Sequence, residues 1–336
     1  MRAYGFTEEI IAPNAEYLME IEKDELQVGP SDLLVKVESV AINPVDVKVR
    51  GRVSPEAGQP KILGYDAAGV VEAVGADVTL FKVGDAVFYA GDITRDGSFA
   101  DKQLVDERIV GPKPKSLSFG QAAAMPLTSI TAWEILFERL AIKRDGSDKG
   151  VLLVVGGAGG VGSILIQLAK ALTDLTIIAT ASRDETIAWC KDLGAHHVIT
   201  HREPLAAQIA TLGVGPVNYT AALTHTDKHF AQIIEAAAVD GKICLIDDPV
   251  SLDVIPMKGK CLSLHWEMMF ARSMHQTADM IGQHNLLAEV SSMLDKGTLR
   301  VTGTRHMGAI TLENLIAAMK YQATDTAVGK TVLGEE

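Results

Sequence analysis

The stretch "VLLVVGGAGGVGSILIQLAK", residues 151–170, places five glycines in the seven positions from Gly156 to Gly162. Within it, Gly157-x-Gly159-x-x-Gly162 follows an apolar, β-rich run and opens a helix-like one. A backbone stripped of side chains can approach a pyrophosphate. The free amides and positive dipole end of a helix beginning near Gly160, with Val161 and Gly162 in its first turn, would then face the phosphate charge. Spaced glycines alone also suit a tight structural turn, but the strand-then-helix context points to dinucleotide binding. The next β-rich run, "TIIATA", discriminates between cofactors. An NAD site commonly ends this strand with Asp or Glu on the ribose 2′-hydroxyl. Here Thr180-Ala181-Ser182-Arg183 carries no carboxylate before Asp184. The Ser182 hydroxyl and the forked donors of Arg183 suit a 2′-phosphate, so NADPH is expected. The other reading leaves Arg183 solvated and gives the ribose to Asp184. Leu223 and Ile246, at the ends of the fourth and fifth strands of this unit, should line the same crevice, because ligands sit beyond the carboxyl ends of parallel strands.

Other chemistry-bearing side chains are less organised. His225-x-x-x-His229 and the group His196, His197 and His201 have spacings that could suit a metal, but both fall in crossover segments, and exposed polar histidine is the ordinary case. Cys190, Cys244 and Cys261 lie far apart with no paired spacing. Neither a disulfide framework nor a zinc ribbon is encoded, and a reducing, cytoplasmic setting is expected.

The elements that must position these residues differ along the chain. From Val151, short β-rich runs alternate with helical segments through "KICLID", which implies parallel strands joined by crossovers. "CLSLHWEMMF", residues 261–270, reads as a further strand of that unit. The first 120 residues are broken at short intervals by Gly, Pro and Asp and read as mainly β. "SFGQAAAMPLTSITAWEILFERLAI" has helical spacing, with a bend at Met125-Pro126 marking passage between units. The tail is helical again and ends in a strand, "GKTVLG", expected to return to the first unit. The predicted domains are therefore 1–124 with 273–336, and 125–272.

Composition narrows the function classes. The 336 residues include 47% hydrophobic and 22% charged, which fits folded domains rather than disorder. The formal charge of −12 disfavours a nucleic-acid partner, since phosphate binding over a surface wants clustered Lys and Arg. The N-terminal residues have no apolar core of the length a secretory signal needs. The uncharged run from Val151 to Ala169 carries glycines at its centre, so a membrane span is not expected.

Six ordered motifs carry a resemblance: "INPVDVKVRG", "LGYDAAGVVEAVG", "FKVGDAVFYAG", "GSFADKQLVDERIV", "AAAMPLTSITAWEIL" and "GGAGGVGSILIQLAK". Together they resemble the medium-chain dehydrogenase/reductase superfamily, in its zinc-free quinone oxidoreductase branch. "SLHWEMMFARSMHQTADMIGQH" is similar to a bacterial subgroup labelled zinc-type alcohol dehydrogenase-like. The resemblance implies an α/β fold class, a Rossmann doubly wound parallel sheet plus a GroES-like mainly β domain, and a homodimer joined by edge strands. In zinc-using relatives a Cys stands in the segment matching Ala41 to Asp46, and a His-Glu pair in that matching Gly64 to Gly69. This chain has Asn43 at the first and Tyr65-Asp66 at the second, and no cysteine before Cys190. No metal is expected, since neither Asn nor Tyr replaces thiolate and imidazole.

Without a Lewis acid, charge arriving on a carbonyl must be steadied by hydrogen-bond donors, which favours a conjugated acceptor, a quinone or an α,β-unsaturated carbonyl. By the resemblance, Asn43 and Tyr65 are the candidate donors near the substrate oxygen, and Asp46 anchors that loop or bonds ribose. The alternatives are turn chemistry for Asn43 and a packed aromatic for Tyr65. Thr128 and Thr131 resemble residues beside the nicotinamide, unless Thr131 merely caps or packs its helix. The rival functions are an alcohol or aldehyde dehydrogenase and a non-catalytic NADPH-binding protein.

Overall fold

The computed structural model describes residues 1–7, 18–49, 55, 58–324 and 326–335, so Arg50 and Gly51 of the "INPVDVKVRG" motif lie outside the described residues. The chain divides into two compact units, Met1–Ile130 with Phe270–Glu336, and Thr131–Met269.

In the first unit the chain runs through β1 (Arg2–Phe6), β2 (Met19–Glu22), β3 (Asp32–Ile42), α1 (Pro44–Lys48), β4 (Lys61–Ile62), β5 (Ala67–Val74), β6 (Ala86–Tyr89), β7 (Lys102–Asp106), β8 (Val110–Pro112) and α2 (Phe119–Ala123). Helix α3 (Pro126–Trp133) carries the boundary and passes into a π-helical stretch, Glu134–Arg139. The second unit holds β9 (Val151–Val155), α4 (Gly160–Leu172), β10 (Thr176–Thr180), α5 (Asp184–Asp192), β11 (His197–Ile199), α6 (Leu205–Thr211), β12 (Val217–Ala222), α7 (Thr226–Ala236), β13 (Ala237–Leu245) and β14 (Ser263–Trp266). The chain then supplies α8 (Ala271–Met274), α9 (Gly282–Asp295), β15 (Gly303–His306), α10 (Leu312–Gln322) and β16 (Lys330–Gly334) to the first unit.

The second unit is one parallel sheet in the order β11-β10-β9-β12-β13-β14. Its central strand β9, Val-Leu-Leu-Val-Val, is buried at every position, as a strand covered on both faces must be. Leu153, Val155, Ile178, Phe230, Ile233 and Ile243 are among the residues of the core on one face. The strand order reverses beside β9, and the carboxyl ends of β9, β10 and β12 meet there, which is where ligands of open α/β sheets bind.

The first unit is mainly antiparallel. A three-stranded sheet, β2-β1-β4, accompanies a larger one in the order β15-β16-β3-β5-β6-β8, with β7 also pairing β3. Strand β3 mostly alternates between covered and partly open positions over its first half, then stays buried from Ser39 to Ile42. It delivers Asn43, itself buried, to the N-cap of α1. Strand β16 pairs antiparallel with β3, Thr331 against Ile42, and so brings the far end of the chain beside Asn43.

Candidate active site

The loop between β9 and α4 is pinned to the next strand, because the Gly156 amide donates to Thr180 Oγ1 at 2.9 Å and the Gly157 amide to the Thr180 carbonyl at 3.1 Å. Gly156 has φ +90°, a conformation that favours glycine. The three glycines of the motif are present for different reasons. A Cβ on Gly162 would stand 2.4 Å from the Gly156 oxygen, and one on Gly157 2.8 Å from Ala179 Cβ, so close strand-to-helix packing forbids both. A Cβ on Gly159 would meet nothing nearer than the Gly156 oxygen at 3.6 Å. The protein's own packing therefore tolerates a side chain at 159, and its absence keeps the helix start open. Gly159 is also the N-cap of α4 and supplies no side-chain cap to the amides of Gly160, Val161 and Gly162. Uncapped amides at a helix N-terminus are an anion seat, and a pyrophosphate-bearing cofactor fits these residues.

Ser182 and Arg183 follow β10 directly. Arg183 is the N-cap residue of α5, where its amide donates to Thr186 Oγ1 at 3.1 Å, and its guanidinium pairs with Glu185 at 3.2 Å in a half-exposed contact. Leu223 and Ile246 stand at the carboxyl ends of β12 and β13, with amides on the Val155 and Ala222 carbonyls. The geometry adds a meeting that spacing along the chain did not suggest. Thr180 pairs with Ile199, the last residue of β11, and His201 follows two residues later. The ring of His201 lies 6.3 Å from that of His229, so two histidine groups that are separate in sequence converge. Burial and their neighbouring positive charges hold both rings below the ordinary imidazole range. His196 is engaged elsewhere, accepting the Ile177 amide at 2.9 Å. Among the described residues no group of three His, Cys, Asp or Glu is arranged to hold a metal ion.

In the first unit, Asn43, Asp46, Tyr65 and Thr128 are all buried. Asp46 accepts the Asn43 amide at 2.7 Å and the Gly64 amide at 3.2 Å. Complete burial, opposed by those amides and by Lys330, raises its carboxyl to about 7. Asn43 Nδ2 donates to Asp66 Oδ2 at 2.9 Å and to the Tyr65 carbonyl at 3.3 Å, while its Oδ1 accepts from Lys330 at 2.5 Å. Thr128 Oγ1 donates to the Met125 carbonyl at 3.2 Å. The Leu127 amide, one residue earlier, donates to Asp66 Oδ1 at 2.8 Å. Asp66, Lys330 and the start of α3 therefore join the residues singled out in the sequence. Tyr65 differs from its neighbours. Its ring is fully buried and packs edge-on against Phe270 with centroids 5.5 Å apart, yet its hydroxyl has no hydrogen-bond partner among the described residues. Burial, reinforced by Asp46, holds that phenol above its ordinary range and therefore protonated. An orphaned buried donor costs about 1–3 kcal/mol unless a ligand supplies the acceptor.

Comparison with known proteins agrees with this architecture. Residues 29–115 match the alcohol dehydrogenase GroES-like domain, and residues 160–258 the zinc-binding dehydrogenase family. A zinc-type alcohol dehydrogenase-like protein of Staphylococcus aureus is 40% identical over 305 residues, 90% of each chain. The crystal structure of a putative zinc-dependent alcohol dehydrogenase protein from Rhizobium etli is 50% identical with TM-score 0.95, covering 99% of this chain and 98% of that one. A quinone oxidoreductase of Pseudomonas syringae is 26% identical with TM-score 0.83, covering 99% of both chains. The parallel sheet with its glycine turn, the β-rich unit and these near-complete matches lead to one conclusion: the chain belongs to the medium-chain dehydrogenase/reductase superfamily, beside its zinc-type alcohol dehydrogenase-like members.

Proposed function

We propose that this oxidoreductase uses NADPH to reduce quinones or α,β-unsaturated carbonyls by hydride transfer, with no metal ion taking part. The observation that carries the reading is the open start of α4, where Gly159 leaves room that no internal contact requires. The amides of Gly160, Val161 and Gly162 would hold the pyrophosphate, Ser182 and Arg183 the 2′-phosphate, and Leu223 and Ile246 would line the dinucleotide crevice. To do so, Arg183 exchanges its half-exposed partner Glu185 for the phosphate. Bound there, reduced nicotinamide supplies the hydride. Thr128 would pack at the nicotinamide end. Tyr65, protonated and without a partner among the described residues, is the donor for the acceptor's oxygen. Asn43 and Asp46 act through the backbone they hold, since their polar atoms are already engaged. A neutral donor suits a conjugated acceptor, in which the arriving charge is delocalised.

The test is a paired measurement of NADPH and NADH oxidation against quinones, enones and simple aldehydes, with and without chelator. Turnover of the conjugated acceptors, indifferent to chelator and preferring NADPH, is the expected result. Arg183→Gln should raise KM for NADPH about 10-fold and leave that for NADH nearly unchanged, by loss of a charge-assisted contact. Chelator-sensitive turnover of aldehydes alone would overturn the reading in favour of an alcohol or aldehyde dehydrogenase, and cofactor binding without any turnover would favour a non-catalytic NADPH-binding protein.

We also propose a homodimer in a reducing, cytoplasmic setting. Strand β14 ends the sheet order, and Trp266 and Met268 beside it are 54% and 46% exposed. An open strand edge flanked by large apolar side chains invites pairing with a second copy.

A further inference from the structure

The zinc in the family descriptions has no seat among the residues of this chain that match its ligands. In place of thiolate and imidazole stand Asn43 and Tyr65, and Asn43 with Asp66 already surrounds a cation of the chain's own. Lys330 Nζ lies 2.8 Å from the Ile42 carbonyl oxygen, 2.5 Å from Asn43 Oδ1 and 2.9 Å from Asp66 Oδ2. Three acceptors require three N–H donors, and only the ammonium form of lysine has three; a neutral amine would turn its lone pair toward one of the oxygens. The side chains of Lys330 and Asp66 are 3% and 0% exposed, so solvent does not share this charge. Zinc is held by Cys sulfur, His nitrogen and Asp or Glu oxygen at about 2.0–2.3 Å. This ring offers one carboxylate beside two neutral oxygens, with neither thiolate nor imidazole, and is spaced for N–H···O bonds.

We infer that Lys330 is the resident cation of the site, a positioning residue whose tethered ammonium stands among the positions of the zinc ligands and keeps a metal out. Its charge compensates Asp66, whose other oxygen holds the Leu127 amide at the start of α3, next to Thr128. The same ammonium fixes Asn43, which donates to the carbonyl of Tyr65. Strand β16, the start of α1, the Tyr65 loop and the N-terminus of α3 are thus tied to one positive charge. The inference stands apart from the choice of acceptor or cofactor, because its tests read stability and metal content.

A double-mutant cycle tests the charge. Lys330→Gln and Asp66→Asn should each lower the thermal midpoint by about 5 °C or more. The double variant should lose less than the sum of the two, because no uncompensated charge is left buried. In Lys330→Ala, methylammonium chloride should raise the midpoint more than tetramethylammonium chloride at equal concentration, whereas the wild type should respond alike to both. Elemental analysis after dialysis against zinc should find less than one zinc per wild-type chain. Additive single losses, an equal response of Lys330→Ala to the two salts, or one zinc per wild-type chain that Asp66→Asn releases would each overturn the inference. If both single variants fail to fold, folding of the double variant supports it and failure of all three overturns it.

Discussion

The hydroxyl of Tyr65 is the clearest test at the scale of one residue. It is buried, protonated and unpartnered among the described residues, while the nearby groups of Asn43, Asp46 and Asp66 are already hydrogen-bonded within the protein. Tyr65→Phe removes one oxygen and keeps the ring against Phe270. The variant should fold with an unchanged or slightly higher thermal midpoint, because an unsatisfied polar atom is deleted. If the hydroxyl serves the acceptor, kcat should fall about 100-fold in the quinone assay, the scale of losing one oxyanion donor. A kcat equal to that of the wild type would leave Tyr65 as a packing residue.

The glycine turn and the π-helical stretch raise questions at the scale of elements. Gly162→Ala forces a Cβ to within 2.4 Å of a backbone oxygen, so α4 must shift from β9; we predict a loss of about 2–4 kcal/mol in denaturant unfolding. Gly159→Ala meets only an ordinary contact, so its stability should change by less than about 1 kcal/mol while its Kd for NADPH rises about 10-fold or more. Calorimetric titration separates the two outcomes, and equal affinity in Gly159→Ala would remove the pyrophosphate from this turn. In the π-helical stretch, Arg139 pairs with Glu267 at 2.7 Å and reaches Glu134 at 3.5 Å. Burial, and then the neighbouring Glu134, push the Glu267 carboxyl well above the ordinary range. The folded state therefore keeps a proton that the unfolded chain releases, and this pair's contribution to stability falls as pH rises above the ordinary carboxylate range. Glu267→Gln should flatten that slope. Thermal midpoints from mildly acidic to mildly alkaline buffer will show the variant gaining on the wild type, whereas parallel curves would refute the proton retained on Glu267.

For the whole molecule, the testable property is self-association. Trp266→Arg with Met268→Lys places two charges beside the open edge of β14 without touching the buried Met269 and Phe270. Sedimentation should show the wild type as a dimer and the double variant as a folded monomer. A wild-type monomer would refute strand pairing at this edge. The tail residues from Phe270 group with residues 1–130, so β16 and then β15 extend the first unit's larger sheet beyond β3. Among the described residues no helix is long and apolar enough to cross a membrane.

What the sequence determined by itself was local in origin. Alternating β-rich and helical periods dictate a parallel sheet, the glycines after β9 dictate a tight strand-to-helix turn, and the missing carboxylate after β10 was visible as four consecutive residues. The absence of thiolate and imidazole at 43 and 65 was equally plain. Tertiary structure decided what those positions hold instead. Lys330 reaches Asp66 across 264 positions, and Arg139 reaches Glu267 across 128. Neither pairing has a period or spacing to betray it, because each exists only once the strands have closed and burial has removed water as the competing partner. The same burial that left the Tyr65 hydroxyl without a hydrogen bond among the described residues also left its residue type silent about its role.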